Sequence, residues 1–155
     1  MTAGPVVSDS SPLIALQQIG RLELLRGLFV KVLVPPAVVR ETRRALVLPD
    51  WVCERGLRQP ISPLILAAQL GPGESEALAL ATEISAHRVI LDDRAGRNLA
   101  ARLALPMTGA VGILLAAKRR ALLSEVKPEL DALLAVGFYI GPRVYRGALA
   151  EAQEP

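Results

Sequence analysis

The sequence predicts an α/β fold, a three-layer sandwich in which a central parallel sheet is flanked by helices. Three observations carry this expectation. Short valine-rich runs alternate with helical segments almost from end to end, as in a parallel sheet with helical crossovers. The length, 155 residues, fits a single domain spanning residues 1–155 with one core. Apolar residues make up 52% of the chain but aromatics only 3%, so the core is built from Leu, Val, Ile and Ala.

In chain order, Pro5-Val6-Val7-Ser8 reads as a buried strand. Ser11 suits an N-cap and Pro12 a first helical position, so a helix follows, carrying Leu13, Leu16 and Ile19 and broken at Gly20. "RLELLRGL" adds a short helix ending near Gly27, and "FVKVLVP" (29–35) alternates like a strand. Pro36 opens the helix "PAVVRETRRAL". Residues 49–66 are ambiguous: "PDWVCERGLRQP" suits a helix and "ISPLIL" a strand fragment or extended connection. "GESEALALATEISAH" is rich in helix formers, with Ala77, Leu78, Ala81 and Ile84 on one stripe. "RVILD" (88–92) is a strand, "DRAGRNLAARLAL" a helix, "PMT" a short strand and "GAVGILLAAKRRALL" a helix. Lys127 to Ala135 forms the last expected helix, "GFYI" the last strand, and "EAQEP" a frayed acidic end.

Composition removes several functional classes. No run approaches the roughly 20 apolar residues that cross a bilayer, so no membrane role is expected. No basic residue precedes the first apolar run, which argues against a secretory signal. The lone Cys53 permits no internal disulfide and points to a reducing cytoplasm, with the thiol as core filler. His87 is the only histidine, so neither a His/Cys zinc site nor a Ser–His–Asp site can be assembled beyond it. The net charge is only +3, yet basic residues cluster: Arg40, Arg43 and Arg44; Arg94, Arg97 and Arg102; Lys118, Arg119 and Arg120. Such clusters are a solvated face or an attraction for a polyanion.

Acids recur at strand ends or helix starts: Asp9, Glu41, Glu74 and Asp92. In parallel α/β sheets ligands bind beyond the carboxyl ends of the strands, where Asp9 and Asp92 would stand. Glu74 and Glu76 point roughly 200° apart on a helix, so only one can face a common site. Glu74, nearest the helix start, is the choice, leaving Glu76 solvated or salt-bridged. Successive strand residues face opposite sides, but a strand end can bend, so Asp93 remains a second contributor beside Asp92. Gathered carboxylates must take up protons or a cation, and Mg²⁺ or Mn²⁺ suits oxygen ligands. Acids for the metal and arginines for phosphate point to phosphodiester hydrolysis, with Arg94 and Arg97 as candidate phosphate contacts.

"VVSDSSPLIAL", "VPPAVVRE", "LGPGESEALALA", "VILDDRAGRNLAARLAL" and "MTGAVGILLAAKRRALL" in this order resemble PIN-domain proteins, and within them the branch related to VapC-like toxin ribonucleases. The resemblance covers about residues 5–140. It implies a PIN-like fold, a metal-dependent endoribonuclease and an acid cluster of Asp9, Glu41, Glu74 and Asp92 holding Mg²⁺ or Mn²⁺. Ser10 and Thr108 fall where small hydroxyl residues support that site. Glu74 departs from the pattern, since the best-known toxins usually carry Asp there. RNA as substrate, an antitoxin partner and a homodimer are further implications. Two rivals stand beside it: an inactive relative that binds RNA or a protein, and a receiver-like domain phosphorylated on aspartate.

Overall fold

The structure, a computed structural model, describes residues 4–155. Its strands are β1 (Val6–Ser8), β2 (Val32–Val34), β3 (Val52–Glu54), β4 (Arg88–Ile90) and β5 (Met107–Thr108). Among the described residues these form one sheet, all parallel, in the order β3-β2-β1-β4-β5. The helices are α1 (Ser10–Gln18), α2 (Glu23–Phe29), α3 (Pro36–Thr42), α4 (Pro63–Ala67), α5 (Pro72–Glu83), α6 (Arg94–Arg102), α7 (Ala110–Arg119), α8 (Lys127–Ala135) and α9 (Pro142–Glu151).

Both sheet faces are covered, which is why the strands read as apolar runs. Successive strand side chains alternate between faces. Val6, Val32, Val34 and Ile90 enter a core shared with α1, α2, α7, α8 and α9. Val7, Leu33, Val89 and Leu91 enter a second core with α5 and α6. This is the expected three-layer sandwich. The strand order also reverses: the chain runs from β1 outward to β3, then crosses to β4 on the other flank. The crevice between the carboxyl ends of β1 and β4 is therefore the switch point where open α/β sheets take ligands.

Several elements differ from the sequence expectation. Residues 52–54 are an edge strand rather than helix, because Val52, Cys53 and Glu54 find a ladder partner in β2. "ISPLIL" contains helix α4 instead of a strand, opened by Ser62, whose hydroxyl accepts from the Ile65 N–H at 3.4 Å, and by Pro63. Strand β2 is shorter than "FVKVLVP", since α2 runs through Gly27 to Phe29 and Val30 turns the chain with φ 65°. Helix α1 begins at Ser10, with Asp9 in the cap position.

"GFYI" joins no strand, because the sheet ends at β5 and α8 stops at the left-handed Gly137. The chain then forms α9, a helix the sequence reading did not include. The acidic tail is not frayed. Glu154 accepts from Lys118 Nζ at 2.8 Å and from the backbone N–H groups of Val126 and Lys127 at the start of α8. That carboxylate ties the end of the chain to α7 and α8.

Candidate metal centre

Asp9 follows β1 directly, and Asp92 and Asp93 lie just beyond β4. The ladder itself sets them side by side: the Asp9 N–H donates to the Ile90 carbonyl at 2.9 Å. Asp9 is 2% exposed, and its Oδ1 has no hydrogen-bond partner among the described residues. Burial pushes its carboxyl from 3.8 to about 6; the Ser10 N–H pulls it back, while the charges of Glu41 and Asp93 push it further up.

Glu74 sits in the first turn of α5, where the helix dipole favours an anion. Its Oε1 accepts from the Gly71 N–H at 3.3 Å, whereas Oε2 is buried without a partner among the described residues. Burial first, then hydrogen-bond contact with Asp93 and the charges of Asp93 and Asp9, raise Glu74 to about 7. Asp93 caps α6 by accepting from the Gly96 N–H at 3.0 Å. That bond, together with Glu74, holds Asp93 below the usual carboxylate range. Two carboxylates in such contact share one proton or one cation.

Glu41 completes the group from α3. The Ser10 hydroxyl donates to its Oε1 at 2.7 Å and the Gly73 N–H to its Oε2 at 3.0 Å, linking α1, α3 and α5. Position 73 must be glycine for this approach, because a Cβ there would collide with the Glu41 carboxylate. Glu76, on the other side of α5, is half-buried and makes no salt bridge among the described residues. Its Oε1 accepts from the Ala37 N–H at 2.9 Å and satisfies an orphan donor in the first turn of α3.

Asp92 does not join these acids. Its carboxylate accepts from the Ala110 N–H at 3.1 and 3.2 Å, at the start of α7. Burial raises its pKa, opposed by that bond and by the charge of Arg97. Arg97 in turn donates from Nη1 to the Leu91 carbonyl at 2.8 Å, so it braces the end of β4. Arg94 is exposed at the start of α6. Thr108, on β5, lies beside Asp92 against Gly112 rather than among the other acids. The structure thus gathers Asp9, Glu41, Glu74 and Asp93, with Ser10 as support, and sets Asp92, Arg97 and Thr108 on the neighbouring wall. Gly73 and the cap role of Glu76 are the parts that sequence reasoning missed; the "GPG" before Glu74 was the available signal for the first.

A family model described as DUF3368, PIN domain, matches residues 5–154. The chain belongs to the PIN-domain family. A PilT N-terminus domain protein, SSO1118, from the hyperthermophilic archaeon Sulfolobus solfataricus P2 is similar in structure, with a TM-score of 0.55 and 20% identity. The likeness covers 72% of this chain and 92% of that one, and at this identity it bears on the fold alone. Among curated proteins, none matches this chain. PIN domains are in general nucleases, and they typically use divalent metals.

The donor set of this PIN domain fits such an ion. Two buried carboxylate oxygens without partners among the described residues, Asp9 Oδ1 and Glu74 Oε2, belong to carboxyls whose pKa is raised by burial and by neighbouring acids. Among the described residues no group of three or more His, Cys, Asp or Glu side chains is placed so as to hold a metal ion. Mg²⁺ does not require one, since it retains several waters and is held through one or two carboxylates. Asp9 and Glu74 are the residues that would hold it, with Asp93 beside Glu74 and with Glu41 locked in place by Ser10 and Gly73.

Proposed function

We propose that this PIN domain is a metal-dependent endoribonuclease that hydrolyses phosphodiester bonds in RNA. The observation that carries the reading is the pair of orphaned, buried carboxylate oxygens at the β1–β4 switch point. When bound there, Mg²⁺ or Mn²⁺ lowers the pKa of a water ligand and offsets the negative charge of the phosphate.

The chain's own residues prepare the site. Asp9 and Glu74, both raised by burial, would lose their protons to solvent near neutral pH when a cation is bound beside them. Asp93 stays ionised through its cap on α6 and keeps a negative charge beside Glu74. Ser10 and Gly73 hold Glu41 so that its charge bears on Asp9. Arg97 and Asp92 brace the far wall, and exposed Arg94 meets a flanking phosphate. Glu74 in place of the shorter Asp places the carboxylate one methylene further out.

The VapC-like role extends the proposal: the enzyme is a toxin ribonuclease acting in the cytoplasm as a homodimer and held in check by an antitoxin protein. The receiver alternative loses support from the strand order, 3-2-1-4-5 rather than the 2-1-3-4-5 of receiver-type sheets. The deciding assay incubates purified protein with varied single-stranded RNAs in Mg²⁺ or Mn²⁺. Cleavage is expected, and it disappears with chelator and in Asp9→Asn. RNAs that stay intact under every metal condition overturn the enzyme reading in favour of an inactive RNA- or protein-binding relative.

A further inference from the structure

Two clefts lie along the β5–α7 edge of the molecule. One, of about 430 Å³, is lined by Asp92, Arg97 and the aromatic residues Phe138 and Tyr139, the last 83% exposed. The other, of about 290 Å³, has an apolar floor that includes Phe29 and Ile113 and a rim of His87, Arg88, Arg119 and Arg120. Thr108 and Gly112 line both clefts, so the two meet at that pair. The junction is open because position 112 is glycine; a Cβ there would run into the Thr108 hydroxyl.

The charges along this path have one sign at the far end. Among the described residues, no acid lines the smaller cleft. Arg119 is engaged by Glu151 at 2.9 Å, but both side chains are about 60% exposed, a pairing worth little in water. Arg120 makes one long contact, 3.5 Å, to the Gly27 carbonyl. Lys118, by contrast, is turned away to Glu154. Arg88 begins β4 and Asp92 lies four residues later, so the basic rim stands on the order of 13 Å from the Asp92 wall.

We infer that the β5–α7 edge is a track for a single nucleic-acid strand, running from the Asp92–Arg97 wall across Thr108 and Gly112 to a phosphate site made by Arg88, Arg119 and Arg120. Exposed Tyr139 gives an unpaired base a ring to stack on, and the arginines neutralise backbone charge. A duplex has no unstacked base for Tyr139, so the occupant is single-stranded. The inference rests on the proposed nuclease site for its direction of travel, but not for its test.

The test measures binding of a single-stranded RNA of roughly ten nucleotides, within the span such grooves cover. Wild type and the double variant Arg88→Gln/Arg120→Gln are compared in chelator, so no cleavage is needed. Each lost phosphate contact should lower the slope of log affinity against log salt by about 0.7, or about 1.4 for the pair. Tyr139→Ala should weaken binding about tenfold or more without changing that slope. Arg58→Gln, on the segment after the opposite edge strand, is the charge control and should bind as wild type. An unchanged slope in the double variant with an unchanged melting temperature overturns the inference. So does a loss of self-association in that variant with RNA affinity intact, which would make the edge a contact between copies of this chain. If RNA binds along the track but is never cut, the nuclease proposal fails and the track stands.

Discussion

Asp9 is the most telling residue, because its environment opposes the charge it carries at neutral pH. Its folded pKa is raised from 3.8 to about 6 and that of Glu74 from 4.5 to about 7. A raised carboxyl pKa means the native state binds more protons than the unfolded one between those values. Stability from these groups is therefore complete below about pH 4 and is lost as pH rises towards 7. Asp9→Asn removes an uncompensated buried charge, so in chelator at pH 7.5 it should melt above wild type, the gap closing at pH 4. A variant that melts lower at both pH values would show that the Asp9 carboxylate is already satisfied. Asp92 and Asp93 divide roles in the same way. Asp93→Asn keeps an N-cap and the fold but should weaken Mn²⁺ binding by tenfold or more, measured by titration calorimetry, while Asp92→Asn should cost less because its carboxylate serves the α7 start. Equal losses would contradict the observed division.

At the scale of elements, α5 carries two glutamates with opposite functions. Glu76→Ala strips the cap from α3 and should destabilise the protein by about 1 kcal/mol in denaturant unfolding. Glu74→Ala should leave metal-free stability equal to or above wild type, because it removes an orphaned acceptor. The reverse order would exchange the two assignments. Gly73→Ala should retain the fold, since alanine favours a helix, yet displace Glu41 and reduce metal affinity. The C-terminal tail obeys similar logic. Glu154 joins Lys118 to the start of α8, whereas the Arg119–Glu151 pair is exposed, so Glu154→Ala should lower the melting temperature more than Glu151→Ala.

For the whole molecule, a metal bound at the proposed site would compete with protons for the same oxygens, so binding should release protons and tighten as pH rises through 6 to 7. Saturating Mn²⁺ at a hundredfold excess over its dissociation constant should add about 2.7 kcal/mol to stability. The corresponding rise in melting temperature should be larger at pH 7.5 than at pH 5.5 and absent in Asp9→Asn; a pH-independent rise would place the ion elsewhere.

Alternating valine-rich strands and helices were enough to predict the parallel sandwich, because parallel strands buried on both faces must read that way. The placements of Asp9 at a strand end and Glu74 in a first helical turn were likewise legible from local signals, whereas Glu41 lies in the last turn of α3. What depended on tertiary structure was everything set by a partner distant in sequence. Residues 52–54 became a strand only because β2 offered its edge, and α9 holds its place by packing Ala148 and Leu149 into the core. Between adjacent Asp92 and Asp93, the chain alone could not say which would meet Asp9. The Ala110 N–H, on the far side of α6, claimed Asp92, and a bond made across the fold leaves no mark in local spacing, whereas Asp93 caps α6 locally through the Gly96 N–H.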